Sequence, residues 1–213
     1  MTIECVTLET SHHFPGNPLV EQHKLRYRSI IERQNWEVPH VRKLEYDQYD
    51  NPAATYLVWR DEAGVARGVS RLYPTDRPFM LKEVFPQLVT YRAMPQGPQT
   101  WEGSRFCVDH TLEPELRGRI AQEIVLSYLE YGLERNITQI IGVMYPAYWR
   151  RLFADNGWEP VWIGDAVETA EGKKARAAIL PVSEETLVSV RSHTGIRSRV
   201  LTYGKGEPYV RAA

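Results

Sequence analysis

Residues 100–145 constrain the fold more than any other stretch. TWEGSRFCVD (100–109) opens and closes like a strand, HTLEPEL (110–116) turns, and ELRGRIAQEIVLSYLEYGLERN (115–136) is the clearest helix of the chain. Ile120, Ile124, Val125, Leu126, Tyr128, Leu129 and Leu133 crowd one side of that helix. ITQIIGVMY (137–145) comes next as a buried strand by its run of Ile and Val. A helix with an apolar stripe between two strands buries that stripe against a sheet. Around this unit, ATYLVWRD (54–61) and VARGVSRLYP (65–74) read as a hairpin, and HKLRYRSIIERQNW (23–36) as a helix ended before Pro39. TDRPFMLKEVFPQLV (75–89) is a loop with a short helix. PAYWRRLFADNG (146–157) is a helix with Pro in its first turn. WEPVWIG (158–164) and ARAAILPV (175–182) are strands about a turn, and SEETLVSVRSHTG (183–195) is a helix capped by Ser183. The expectation is one α/β domain with a mixed central sheet flanked by helices, residues 1–213, with a loose basic tail over 196–213.

Bulk properties exclude several classes. The net charge of −1 gives no global case for nucleic acid or an anionic membrane surface. No apolar run approaches the ~18 residues needed to cross a bilayer. The first residues, MTIECVTLETSHHF, lack a signal peptide's basic start and apolar centre, so a cytoplasmic protein is expected. Cys5 and Cys107 make neither a disulfide framework nor a metal site, and the six histidines are scattered without metal-ligand spacing.

Several charged groups stand among apolar neighbours: Arg26, Asp47 and Asp50 in EYDQYD (45–50), Arg71 in GVSRLYP, and Glu102 and Arg105 in TWEGSRFCVD. If buried they must be paired. They form either a structural ion-pair network or a cleft that meets a charged substrate. In a regular strand Glu102 and Ser104 share one face with Phe106 and Val108, while Arg105 and Cys107 share the other. Ser104 lacks a nucleophile elbow and reads as a simple hydroxyl donor; Cys107 reads as core. At the start of the long helix, Leu116-Arg117-Gly118-Arg119-Ile120-Ala121 is either a plain helix start or a degraded form of the turn that GNAT-type N-acetyltransferases use for a pyrophosphate, with Glu115 and Ile120 where their pattern has Gln or Arg and Gly or Ala.

The ordered set Arg26, Trp36, Asp47-x-x-Asp50, Arg71 and Glu102-Gly-Ser104-Arg105, carried by LRYRSIIERQNW, EYDQYD, SRLYPTDRPFML and TWEGSRF, resembles the acyl-homoserine lactone synthases, the LuxI-type autoinducer synthases. The match runs over roughly residues 20–155. One departure is Ile30, where the family pattern has Phe.

The resemblance implies a GNAT-like fold, an αβα sandwich, and an acyltransferase that builds a quorum-sensing signal. Its substrates would be S-adenosylmethionine and an acyl group held as a thioester on acyl carrier protein or coenzyme A, with no separate cofactor and no metal. About residues 1–110 would form the S-adenosylmethionine side, with Arg26, Ile30, Trp36, Asp47, Asp50 and Arg71; about 111–195 would form the acyl side. Glu102, Ser104 and Arg105 would be the catalytic set, with Glu102 the candidate base. Asp47 and Asp50 suit a cationic substrate, and Trp36 offers a cation–π face. Arg26 and Arg71 suit either the substrate carboxylate or a bracing role for the two aspartates. Ile141, Val143, Met144, Tyr145, Tyr148, Trp149 and Leu152 are acyl-pocket candidates. The absence of a hydroxyl at Met144 disfavours a 3-oxo group, and the bulk of Met144, Tyr148 and Trp149 suits a short, branched or aryl chain. Arg150, Arg151, Lys173, Lys174 and Arg176 form either a dock for an acidic carrier or a solvated face. Rival readings are a GNAT acyltransferase acting on another amine and a non-catalytic small-molecule binding domain.

Overall fold

The computed structural model describes residues 2–169 and 172–205. Along the chain run β1 (Ile3–Val6), α1 (Pro18–Arg26), β2 (His40–Val41), β3 (Leu44–Glu45), β4 (Thr55–Arg60), β5 (Ala66–Pro74), α2 (Met80–Val84), β6 (Thr100–Val108), α3 (Pro114–Glu134), β7 (Gln139–Met144), α4 (Pro146–Leu152), β8 (Val161–Trp162), β9 (Val167–Glu168), β10 (Lys174–Pro181), α5 (Glu184–Thr194) and β11 (Leu201–Thr202). The chain divides into two compact units. One holds the described residues up to Leu72, Arg105–Ser127 and those from Arg199 onward; the other holds Tyr73–Ser104 and Tyr128–Ser198. Neither unit is a continuous half of the sequence.

In the first unit β1 pairs antiparallel with β4, β4 antiparallel with β5, and β11 parallel with β1. Ile3, Leu25, Leu57, Val69, Leu72 and Ile120 are wholly buried. Gly68 on β5 is required by packing. A Cβ there would lie 2.4 Å from Ile120 Cγ2 and 3.0 Å from Ile124 Cδ1, so only glycine lets α3 come this close. Helix α1 starts earlier than the expected 23, because Asn17 accepts a hydrogen bond from Val20 N–H and Pro18 takes the first turn. It also stops earlier: beyond Arg26 the helix widens into a π turn over Tyr27–Glu32.

In the second unit the first part of β6 pairs parallel with β7, from Thr100↔Gln139 to Gly103↔Gly142, and β7 pairs antiparallel with β10. β8 and β9 each pair antiparallel with β10. Trp149, Phe153, Trp158 and Tyr128 form a buried aromatic cluster with ring centroids 5.3–6.4 Å apart. Parallel and antiparallel pairs with helices between them give the α/β class that the sequence predicts.

Some expectations change. The helix expected over 146–157 ends at Leu152, and Ala154–Asn156 tightens to a 3₁₀ turn closed by Gly157 at φ 83°. The tail expected to be loose is held through residue 205: Ile3 N–H donates to Val200 O at 2.7 Å, and Leu201 pairs with Ile3 on β1. Residues 206–213 lie outside the described residues. The β2–β3 hairpin was not expected, since Arg42 and Lys43 take the positive-φ positions where a Gly or Asn would have announced a turn.

Candidate active site

Six charged side chains of the first unit close into a ring of alternating sign. Arg26 lies between Glu45 and Asp50, Arg71 between Asp50 and Asp47, and Arg105 between Asp47 and Glu45. Arg26 donates through Nη1 and Nη2 to both Asp50 oxygens at 2.7 Å and through Nε to Glu45 Oε2. Arg71 donates to both Asp47 oxygens, at 2.6 and 3.0 Å. Arg105 Nη2 reaches Asp47 Oδ2 at 2.7 Å and its Nε reaches Glu45 Oε1 at 3.0 Å. The side chains of Arg26, Arg71 and Glu45 are fully buried. Three cations and three anions leave no net charge inside the ring, which is the condition for keeping so many charges out of water.

Burial opposes the Arg26 charge, but Asp50 and Glu45 outweigh it and raise the guanidinium pKa. Burial also opposes the Asp50 charge, and Arg26 and Arg71 overcome it, holding that carboxyl far below the usual range. Tyr56 donates its hydroxyl to Asp50 Oδ1 at 2.7 Å, and burial with the nearby Asp50 charge pushes its phenol well up, so the proton stays on it. His23 Nδ1 lies 2.7 Å from Glu45 O, an acceptor, so that nitrogen carries the proton. Burial, then the Arg26 charge, lowers the His23 pKa. Sequence reasoning missed Glu45, Tyr56 and His23. Glu45 opens the acidic loop EYDQYD, and its sign was the available signal; Tyr56 looked like any strand aromatic.

Ile30 is buried in the π turn, where its carbonyl accepts from Trp36 N–H at 3.1 Å. Trp36 lines an open surface depression with Ile31, Asn35, Glu37, Val38 and His40. Among the described residues, the structure therefore brings Arg26, Asp47, Asp50, Arg71 and Arg105 into one network, while Trp36 lines a separate depression of mixed character.

Glu102 is 2% exposed. Its oxygens accept from the Met80 and Leu81 N–H groups at 3.0 and 2.6 Å, the first two of α2, whose own N-cap residue, Phe79, offers no side-chain acceptor. The carboxylate thus sits against the positive end of that short helix. The regular alternation expected along β6 ends at Arg105, which has φ +55°. A left-handed residue inside a strand kinks it and re-aims the residues after it, so Phe106 and Val108 do not continue the face of Glu102 by simple alternation. Cys107 is buried, and burial pushes its thiol up to about 12, in keeping with a core residue.

Of the acyl-pocket candidates, Ile141 and Trp149 are fully buried, Val143, Met144, Tyr145 and Leu152 are half-buried, and Tyr148 is exposed. Trp149 Nε1–H donates to Arg176 O at 2.8 Å. Two glycines that sequence reasoning passed over shape this region. A Cβ on Gly142 would lie 3.0 Å from Gly103 O and 3.5 Å from Trp149 Cη2; one on Gly103 would lie 2.9 Å from Tyr128 Oη. The rings of Tyr128 and Trp149 therefore lie directly against the Gly103–Gly142 pair of β6 and β7. Of the five expected surface cations, Arg176 is not a free surface charge: it stacks on Trp162 at 4.2 Å and donates to Gly164 O. Arg150, Arg151, Lys173 and Lys174 are exposed. Gly118 is the fifth residue of α3, and a Cβ there would meet nothing, so no tight turn requires it. Among the described residues no helix is long and apolar enough to cross a membrane.

The family model for autoinducer synthase matches residues 13–190. An isovaleryl-homoserine lactone synthase of Bradyrhizobium diazoefficiens is 31% identical over 188 residues, 85% of this chain and 81% of that protein. The structure of BjaI, a CoA-dependent acyl-homoserine lactone synthase solved with SAM and isopentyl-CoA, is 26% identical with a TM-score of 0.83, covering 94% of this chain and 92% of BjaI. MesI, another CoA-dependent acyl-homoserine lactone synthase, is 27% identical with a TM-score of 0.78, covering 95% of this chain and all of MesI. The chain belongs to the autoinducer synthase family, the acyl-homoserine lactone synthases, and has their GNAT-like fold.

Proposed function

We propose that this synthase joins S-adenosylmethionine to a short, branched acyl group delivered on coenzyme A. The observation that supports it best is the aromatic floor of Tyr128 and Trp149 against the Gly103–Gly142 pair, which favours a compact acyl group. The similarity to an isovaleryl-homoserine lactone synthase and to two CoA-dependent synthases points the same way.

In the first step the methionine amine, freed of a proton, attacks the thioester carbonyl. An N–C bond forms, the C–S bond breaks, and coenzyme A leaves as its thiol. In the second step the methionine carboxylate oxygen attacks its own γ-carbon. The C–S⁺ bond breaks, methylthioadenosine departs, and the lactone closes. Glu102 is the base for the amine proton, through a water, because two backbone N–H groups fix its carboxylate in place while leaving lone pairs for a further donor. Ser104 supplies a supporting hydroxyl. We assign the contact with the sulfonium or amine to Asp47, the most exposed carboxylate of the ring, while Asp50, held by Arg26 and Arg71, is a brace. Arg26 and Arg71 act chiefly as braces, since each already holds two carboxylates. Both transferred groups come from the substrates, so we invoke no cofactor or metal. The proposed compartment is the cytoplasm, because both substrates are charged and do not cross a bilayer.

The test is release of methylthioadenosine from S-adenosylmethionine with a panel of acyl-CoA and acyl-carrier-protein thioesters. Isovaleryl-CoA and similar short branched donors should lead, and 3-oxo donors should lag. Turnover with carrier-protein thioesters alone would overturn the donor assignment. Thiol release without methylthioadenosine would favour an acyltransferase acting on another amine.

A further inference from the structure

Five non-glycine residues among those described have positive φ: Asn35, Arg42, Lys43, Arg105 and Asn136. Asn tolerates this region, and Arg42 and Lys43 sit in a two-residue hairpin turn that demands it. Arg105 is different, because it lies inside a nine-residue strand. For an L-residue with a long side chain the left-handed conformation costs roughly 1–2 kcal/mol, and it persists only where the surroundings enforce it. The surroundings here are Glu45 and Asp47, which hold the Arg105 guanidinium at 3.0 and 2.7 Å, with 0% and 11% of their side chains exposed. The kink falls two residues after Gly103, the last residue of β6 in register with β7.

We infer that Arg105 is a positioning residue with two separable jobs: its guanidinium closes the charged ring, and by doing so it holds the left-handed kink that aims the β6 backbone beyond Gly103. The inference rests on the proposed acyl transfer only for its readout. If the ring alone matters, any side chain lacking the guanidinium fails alike. If the kink matters as well, residues that accept positive φ outperform those that do not. Ordinary strand preference runs the other way, since glycine weakens a strand more than alanine, so the order of the variants separates the two.

The experiment compares Arg105→Gly, Arg105→Asn and Arg105→Ala in steady-state release of methylthioadenosine, with S-adenosylmethionine and the best acyl donor of the wild-type panel. All three should raise KM for S-adenosylmethionine, because all three open the ring. In kcat, Gly and Asn should exceed Ala by about tenfold, the factor that ~1.4 kcal/mol of backbone preference gives. Equal kcat values, or Ala above Gly, would overturn the inference. Should the single variants fold poorly because Glu45 keeps only one of its two cations, the same comparison in a Glu45→Gln background keeps the ranking readable, with urea midpoints measured alongside. A wild-type protein that releases no methylthioadenosine would count against the proposed function instead. The kink is then judged by the urea midpoints, where Gly above Ala supports it and Ala above Gly overturns it.

Discussion

Two regions of the molecule, one in each compact unit, are built on opposite principles. In the first unit, three arginines and three carboxylates close on one another, and each member has its neighbours fixed by charge. In the second, Tyr128 and Trp149 lie against a pair of glycines, and the arrangement is fixed by volume. A charge network fails abruptly, because one missing member strands a buried charge. A packed apolar floor fails by degrees, because each methylene adds or removes a little.

The contrast can be broken at its strongest point with Arg26→Met. It leaves Glu45 and Asp50 short of a cation in a site with no solvent access, so unfolding free energy in urea should drop by about 3–5 kcal/mol. A loss under ~1 kcal/mol would mean the ring members are not coupled. Next in size, Glu102→Gln keeps the size but removes the proposed base and one of the two oxygens that accept from Met80 and Leu81 N–H, and kcat for methylthioadenosine release should fall by ~10²-fold. A near-normal kcat with an intact fold would leave Glu102 as a helix cap only. On the apolar side, Gly142→Ala brings a Cβ to 3.0 Å of Gly103 O, so stability should fall by only about 1–3 kcal/mol. Relative kcat/KM should move towards smaller acyl groups; an unchanged donor profile would remove this glycine from the specificity argument.

The smallest effect concerns pH. The folded state depresses the His23 pKa below its ordinary 6.5, first through burial and then through Arg26. A depressed histidine favours the folded state while neutral, so its contribution is complete above 6.5 and is lost as pH falls from 6.5 towards the lower folded value. Urea midpoints should therefore decline in that window for the native protein, and decline less for His23→Gln. Parallel curves would place the acid sensitivity elsewhere.

Much of this was legible beforehand. The long helix, the hairpin of β4 and β5, and the capped α5 announce themselves by period, turn and cap. The motif charges Arg26, Asp47, Asp50, Arg71 and Arg105 were legible as a set because charges in apolar company need partners. Three things were hidden. The partner of Arg26 and Arg105, Glu45, became visible only when segments 19 and 60 residues away were brought together. The positive φ of Arg105 carries no sequence signal, since arginine is no turn residue. Gly103 and Gly142 are unremarkable in sequence until Tyr128 and Trp149 lie against them.

The sequence by itself determined which elements form and which charges cannot stand alone, because hydrophobic period and the cost of burying a charge act locally or residue by residue. Only the tertiary structure decided who pairs with whom, where β6 kinks and why two glycines are needed, because those depend on contacts between segments far apart in the chain. The strand TWEGSRF shows both at once: its composition demanded partners, and the fold chose two backbone amides for Glu102 and two carboxylates for Arg105.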